Sequence, residues 1–196
     1  MPEKTVQKEP DKKPVPSKKP KPQQEVVVQI PLSELHPFPD HPFQVREDAS
    51  MQETAESVKE YGVLVPALAR PREDGGYELI AGHRRKHACE LAGLTTMPVI
   101  VRNIDRDAAT IIMVDSNLQR ENILPSERAK AYKMKMEAIK RQGARTDLTS
   151  PKNSAKFRSD DEVGQDAGVS GDTIRNYIAL TQLVPELQQM VDEKKI

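Results

Sequence analysis

Residues 78–94 read ELIAGHRRKHACELAGL, and the placement of charge in this stretch decides how the rest of the chain is to be read. Glu78, Leu79 and Ile80 have the character of a strand end, Gly82 supplies a turn, and His83 to Ala92 follow with helical spacing up to a stop at Gly93. The first turn of a helix presents free N–H groups and the positive end of the macrodipole, so each cation there is disfavoured by about 0.3–1 kcal/mol. Arg84, Arg85 and Lys86 nonetheless occupy it. At about 100° per residue Ala81, Ala88, Leu91 and Ala92 form the apolar stripe, the arginines flank its centre, and His83, His87 and Glu90 share the opposite face. Guanidinium groups turned toward the body of a protein need a counter-charge. That charge is either an acidic partner elsewhere in the chain or a bound polyanion with its phosphates at Gly82.

Working outward toward the N-terminus, Tyr77–Ile80 and Val63–Arg70 read as strands joined through Asp74, Gly75 and Gly76. Ser50 and Glu53 form a capping-box pattern for a preceding helix with Met51, Ala55 and Val58 on its apolar face and Gly62 at its end. Before it lies a Pro-dense loop, residues 31–45, which leads through Gln44 to Arg46, and a short β-branched strand, Val26–Ile30. Residues 1–24 alternate Lys and Pro without apolar periodicity and read as a disordered basic tail.

Toward the C-terminus, Met97–Arg102 is a buried-strand run, and Asp105–Asn117 a helix with Ala108, Ile111, Ile112 and Asp115 at helical spacing. Its end is polar: Ser116, Asn117, Leu118, Gln119, Arg120. Pro125 opens a further helix that buries Ala129, Tyr132, Met136 and Ile139 and carries Lys130, Lys133, Lys135 and Lys140 on its other faces. Residues 143–159 form a polar linker that contains Lys152, Lys156 and Arg158.

Residues 160–183 have the spacing of a helix-turn-helix. Val163, Ala167, Val169, Ile174 and Tyr177 are apolar where two crossing helices pack, Gly164 is small at the crossing, and Gly168 gives the turn. Ser170 caps the second helix, which presents Gly171, Asp172, Thr173, Arg175 and Asn176 near its N-terminal end, where base edges are read. Arg175 is the single cation on that helix, and Asp172 repels phosphate. Contacts to the DNA backbone therefore fall to Lys152, Lys156, Arg158 and the preceding basic helix.

Composition sets the outer bounds. A chain of 196 residues with 36% hydrophobic content, 4% aromatics, no Trp and 16 Pro supports one or two modest cores with substantial linker. The formal net charge of zero means that charge distribution, not bulk charge, must identify a nucleic-acid partner. A single cysteine, Cys89, forms no internal disulfide, fits a reducing compartment and serves as packing filler. The apolar runs are far shorter than the roughly 20 residues a membrane helix needs, so the chain reads as cytoplasmic with no membrane partner.

The order of these parts, HPFQVR in the loop, AGHRRKHA at the turn, SNLQREN at the helix end and then a helix-turn-helix, resembles the ParB/Spo0J family of partition proteins over residues 25–195. The family's patterns NPxQPR, GERRxRA and ENxQR are each matched in part. The resemblance implies an α+β domain of the ParB/sulfiredoxin-like kind, a small mixed sheet with helices, over residues 25–122. An all-α helix-turn-helix domain follows over 123–196. It also implies a CTP switch and a parS-like site on double-stranded DNA. A ParA-type ATPase partner, homodimerisation of the full-length protein and association with a nucleoid or plasmid go with it. Family members continue past this point into a dimerisation region, so the chain is expected to be truncated.

By position, Gln44 and Arg46 would border the nucleotide, Gly82, His83, Arg84 and Arg85 would form the triphosphate turn, and Asn117 would contact Mg²⁺ beside Gln119 and Arg120. His83 and Ser116 stand where the family patterns carry Glu. Losing two acids handicaps metal ligation and water positioning, so the expectation is weak nucleotide binding and at most slow CTP hydrolysis. The alternative is a DNA-binding regulator or nucleoid-occlusion-type protein without nucleotide switching. Sulfiredoxin chemistry is disfavoured, because Gly82 stands at the position of its cysteine and Cys89 lies two turns away. His83 and His87 at i, i+4 read as ordinary surface histidines rather than metal ligands.

Overall fold

The strand that enters the quoted turn, β4 (Tyr77–Ala81), is the centre of the architecture because it is buried on both faces. Leu79 points into one core and Ile80 into another, as strand alternation requires. The computed structural model describes residues 25–120, 122–146 and 159–195. Residues 1–24, read above as a basic tail, lie outside it, as do Lys152, Lys156 and Arg158.

Five strands form one mixed sheet in the order β1-β5-β3-β4-β2, with β1 at Val27–Pro31, β2 at Leu35–Pro37, β3 at Ala67–Pro71 and β5 at Thr96–Val101. β1 runs antiparallel to β5 and β3 antiparallel to β4, whereas β3/β5 and β2/β4 are parallel pairs. On one face α1 (Ala49–Tyr61) and α2 (His83–Leu91) bury Met51, Val58, Ala88 and Cys89 against Ile30, Ala67, Leu79 and Val99. On the other, α3 (Arg106–Leu118) and α4 (Pro125–Thr146) close over Ile80, Phe38 and Phe43 with Ala109, Met113, Val114 and Ala131. A third core joins α4 to α5 (Ser159–Ala167) and α6 (Gly171–Leu180) through Tyr132, Val163 and Ile174. The helix α7 (Pro185–Asp192) returns to the start of α4, where Asp192 accepts hydrogen bonds from Ser126 N at 2.9 Å and Ser126 Oγ at 2.6 Å.

Several local readings are corrected. The α1 cap is Asp48, whose carboxylate accepts the Met51 N–H at 2.9 Å, so the helix starts before Ser50. The Pro-dense loop is interrupted by a 3-10 turn and by β2, held by its parallel pairing with β4. β3 starts at Ala67 rather than Val63, and the carbonyls of Val65 and Pro66 bond to Arg85 instead of a strand. On α2, Leu91 is 54% exposed and Cys89 takes the buried place. On α3, the buried face is Ala109, Met113 and Val114, about one residue on from the expected one. Lys135, placed on a solvated face by its charge, is 1% exposed. Among the described residues no helix is long and apolar enough to cross a membrane.

Candidate functional site

Gly82 has φ +112°, and a Cβ there would stand 2.8 Å from the Cβ of Ala67 in the buried strand β3. Only glycine supplies both the backbone and the clearance. No side chain caps the helix that follows, so the first N–H groups of α2 keep no side-chain acceptor. The arginines after it part company. Arg85 turns inward, donating to Val65 O at 2.6 Å and Pro66 O at 2.7 Å, and burial lowers its pKa. Among the described residues no carboxylate pairs with it. Arg84 turns outward, donating to Ser50 Oγ at 3.2 Å and lying 3.6 Å from Asp48 Oδ1. The two arginines thus do not face the same side, and of the pair only Arg84 lines the cleft it shares with Arg120.

Arg84 opens onto a cleft of about 540 Å³, to which Gln44, Arg46, Gln119 and Arg120 also contribute. These five predicted residues come together from the loop before α1, from α2 and from the end of α3. The cleft's acids are Asp48 and Glu127, and both are already engaged with backbone. Asp48 caps α1, while Glu127, only 7% exposed, accepts the N–H of Gln44 at 3.1 Å and of Leu124 at 3.2 Å. Among the described residues the guanidinium groups of Arg46 and Arg120 make no hydrogen bond or ion pair. The pKa of Arg120 is lowered, first by burial and then by the neighbouring Arg84. Like charges held together in a partly desolvated hollow are the electrostatic complement of an anion. The side-chain amides of Gln44, Gln119 and Asn122 in the same cleft can both donate to and accept from a planar base. A larger hollow of about 880 Å³ elsewhere lacks this character, because Glu73, Asp74, Glu78 and Asp105 stand among its arginines and two of these, Arg70 and Arg72, are paired with Glu78 and Asp74.

Four predicted residues lie outside the cleft lining: Gly82, His83, Arg85 and Asn117. Asn117 is 5% exposed, and its Nδ2 donates to Met113 O at 2.8 Å inside its own helix. Ser116 likewise turns back, its hydroxyl donating to Met113 O at 2.9 Å. His83 is not a surface histidine. Its ring lies 4.0 Å, centroid to centroid, from that of His41, and its Nε2 is buried without a partner. Its pKa falls to about 3, from burial first and then from His41, Arg120 and Lys86. The unfolded chain binds this proton near the ordinary value of about 6.5. Stability should therefore decline as pH drops from 6.5 toward 3, and His83→Gln should flatten that part of an acid-denaturation profile. His87 faces Glu47 at 3.3 Å and Glu90 at 3.4 Å. Among the described residues no group of three or more His, Cys, Asp or Glu could hold a metal.

In the helical half, α5 and α6 cross at Gly164, where a Cβ would meet Val169 O at 2.7 Å. Ser170 caps α6 by accepting the Thr173 N–H at 3.1 Å, and Gly168 turns with φ +69°. Asp172 and Asn176 are exposed beside Gly171 and Thr173 on the first turns of α6, but Arg175 is held by Asp160 and Asp172. Its charge is thus compensated within the module, which the spacing alone did not reveal. Sequence reading also missed Lys135, whose Nζ donates to Asp115 of α3 at 2.7 Å and Asp166 of α5 at 2.8 Å. The signal was present: Lys135 sits in the i, i+4, i+7 row of Ala131 and Ala138, both buried.

The family described as ParB N-terminal domain matches residues 16–118. The chain is 35% identical over 171 residues to the chromosome-partitioning protein Spo0J of Thermus thermophilus, covering 87% of this chain and 56% of that protein. Among solved structures, C-terminally truncated ParB from Caulobacter crescentus complexed to the centromeric parS site shares 27% identity at a TM-score of 0.56. The match covers 86% of this chain and 79% of that one. The same protein complexed with CTP-gamma-S shares 28% identity over 87% and 86% of the two chains, at a TM-score of 0.45. The chain spans about half the length of the curated relatives it matches.

Proposed function

The chain belongs to the ParB family, and from that premise we propose that it is a partition protein that reads a parS-like site on double-stranded DNA and is gated by CTP. The α5–α6 pair is the helix-turn-helix: Ser170 to Asn176 enter the major groove, and Lys152, Lys156 and Arg158 reach the phosphates. The Arg46–Arg84–Arg120 cleft holds the triphosphate. Residues 25–122 form the nucleotide domain and residues 123–196 the DNA-binding domain. A ParA-type ATPase, a second copy of the full-length protein and a cytoplasmic location on nucleoid or plasmid complete the reading.

The observation that carries it is the cleft, where three guanidinium groups converge while Glu127 is spent on backbone N–H groups and Asp48 is divided between the Met51 N–H and Arg84. The described residues do not offer Mg²⁺ a protein ligand set. Asn117 is buried against Met113, and Asp48 and Glu127 are engaged. Mg²⁺ would arrive on the phosphates with its own waters, which supply the hard oxygen shell it requires. With His83 and Ser116 in place of acids, turnover is slow or absent. The same observation favours the second reading, a DNA-binding regulator or nucleoid-occlusion-type protein whose N-terminal domain only positions α5–α6.

Calorimetric titration with each of the four ribonucleoside triphosphates separates the readings. CTP is expected to bind best. Arg84→Ala should weaken it by about 10- to 100-fold, the loss of one charge-assisted contact. The fold should tolerate this change, since Arg84 holds only exposed Ser50 and half-exposed Asp48. If none of the four binds at millimolar concentration, the switch is lost and only the DNA-binding reading survives.

A further inference from the structure

Outside the lining of the cleft, two imidazoles drawn from distant parts of the sequence meet face to tilted face. His41 comes from the loop after β2 and His83 from the first position of α2, and their planes are inclined by 47°. His41 Nδ1 lies 2.7 Å from Phe43 O, and a carbonyl only accepts, so Nδ1 carries the hydrogen and the Nε2 of the neutral ring is a bare lone pair. Both Nε2 atoms are buried and neither has a partner among the described residues. A buried acceptor without a donor is an uncompensated desolvation that a proton would relieve.

The surroundings withhold that proton. His83 faces His41 across the ring contact, Arg120 from the end of α3 and Lys86 along its own helix. Burial first and then Arg120 lower the pKa of His41, against its bond to Phe43 O and Glu127 of α4, which favour its charge. Arg120 in turn faces Arg84, which lowers its pKa. An oxyanion in the cleft reverses the balance, because it cancels the guanidinium charge that holds the proton off.

We propose that anion binding in the Arg46–Arg84–Arg120 cleft draws a proton onto the His41–His83 pair, making the pair a proton-linked partner of the cleft beside the Gly82 turn. The inference rests on the reading of that cleft as a triphosphate site. It gives His83 a role where the family pattern carries Glu: instead of a fixed acid, the turn has a group whose charge appears only when phosphate does. Linkage makes the effect reciprocal, so the pair's contribution to affinity grows as pH falls below about 6.5 toward the free value of about 3.

The test is calorimetry at pH 6 in two buffers of different ionisation heat, with CTP and with inorganic tripolyphosphate. Both ligands take or lose protons of their own at this pH, so the readout is the difference between the natural chain and His83→Gln. The natural chain should take up a substantial fraction of a proton more than the variant. Proton NMR of the natural chain gives an independent reading: in saturating tripolyphosphate the His83 resonance should titrate well above the value of about 3 it has when free. Binding with equal proton numbers, or an unmoved His83 titration in the saturated complex, overturns this inference and leaves the cleft reading standing. Failure of both ligands to bind overturns the cleft reading and the inference together.

Discussion

Lys135→Ala should lower the unfolding free energy by about 2–4 kcal/mol, the largest loss expected from any single charged residue in the described structure. The ammonium donates to Asp115 and Asp166, and each charge-assisted hydrogen bond contributes about 1.5–3 kcal/mol. Its stem, at 1% exposure, adds burial of about 0.8 kcal/mol per methylene. Against these stand the desolvation of the charge and about 2 kcal/mol of side-chain entropy. Burial alone would lower the Lys135 pKa, but the two carboxylates outweigh it and the net shift is upward. A group raised in this way keeps its contribution below its unfolded pKa and loses it only as pH rises through a still higher value, so the test is substitution rather than titration.

Lys135→Met separates the two contributions. It keeps the stem and removes the charge. Asp115 and Asp166 are 46% and 56% exposed and would be left solvated rather than stranded. If packing dominates, Met restores most of the stability. If the ion triad dominates, Met remains close to Ala, and hydrogen exchange in α5 should speed up because nothing then ties Asp166 to α3. Stability of both variants equal to the natural chain would show that the triad is incidental.

This residue also shows what a sequence discloses and what it conceals. The turn at Gly82, the α5–α6 spacing and the strands β1, β4 and β5 were legible because each depends on local pattern: a glycine between periods, a small residue at a crossing, an apolar run. Lys135 was concealed because an amphipathic reading sends every lysine to solvent. Only the arrival of Asp115 and Asp166 from two other helices makes burial tolerable. The His41–His83 contact was concealed for the same reason, since no periodicity links a loop residue to a helix start that far along the chain. β2 escaped because three residues ending in a proline carry no period, and the pairing with β4 is what makes them a strand. The cap of α1 went to Asp48 rather than Ser50 because either residue type can cap, and packing of Met51 and Val58 sets the phase. In the site, charge was predictable and direction was not. Arg84 and Arg85 look alike in the sequence, but unpaired carbonyls at Val65 and Pro66 capture one of them.

Gly82→Ala tests the site and the fold together. The added methyl would sit 2.8 Å from Ala67 Cβ and 3.3 Å from Ala67 Cα, and Ala67 is fully buried in a strand paired on both sides. Neither neighbour is a flexible side-chain end that could swing away. The backbone angle of +112° adds strain of about 1–3 kcal/mol for any residue with a Cβ. Together these should cost about 2–4 kcal/mol in urea unfolding. Gly93→Ala isolates the strain, because Gly93 has φ +74° with nothing within 4 Å of its missing Cβ. It should cost only about 1 kcal/mol. Relief of the Gly82 clash requires the turn to lift from β3, and that displaces the start of α2 and Arg84 with it. Nucleotide affinity should then fall even under conditions where Gly82→Ala remains folded, while Gly93→Ala, at the far end of α2, keeps it. Equal losses of stability in the two variants would show that the turn does not press against β3. Full CTP affinity in folded Gly82→Ala would show that the turn's position does not govern Arg84.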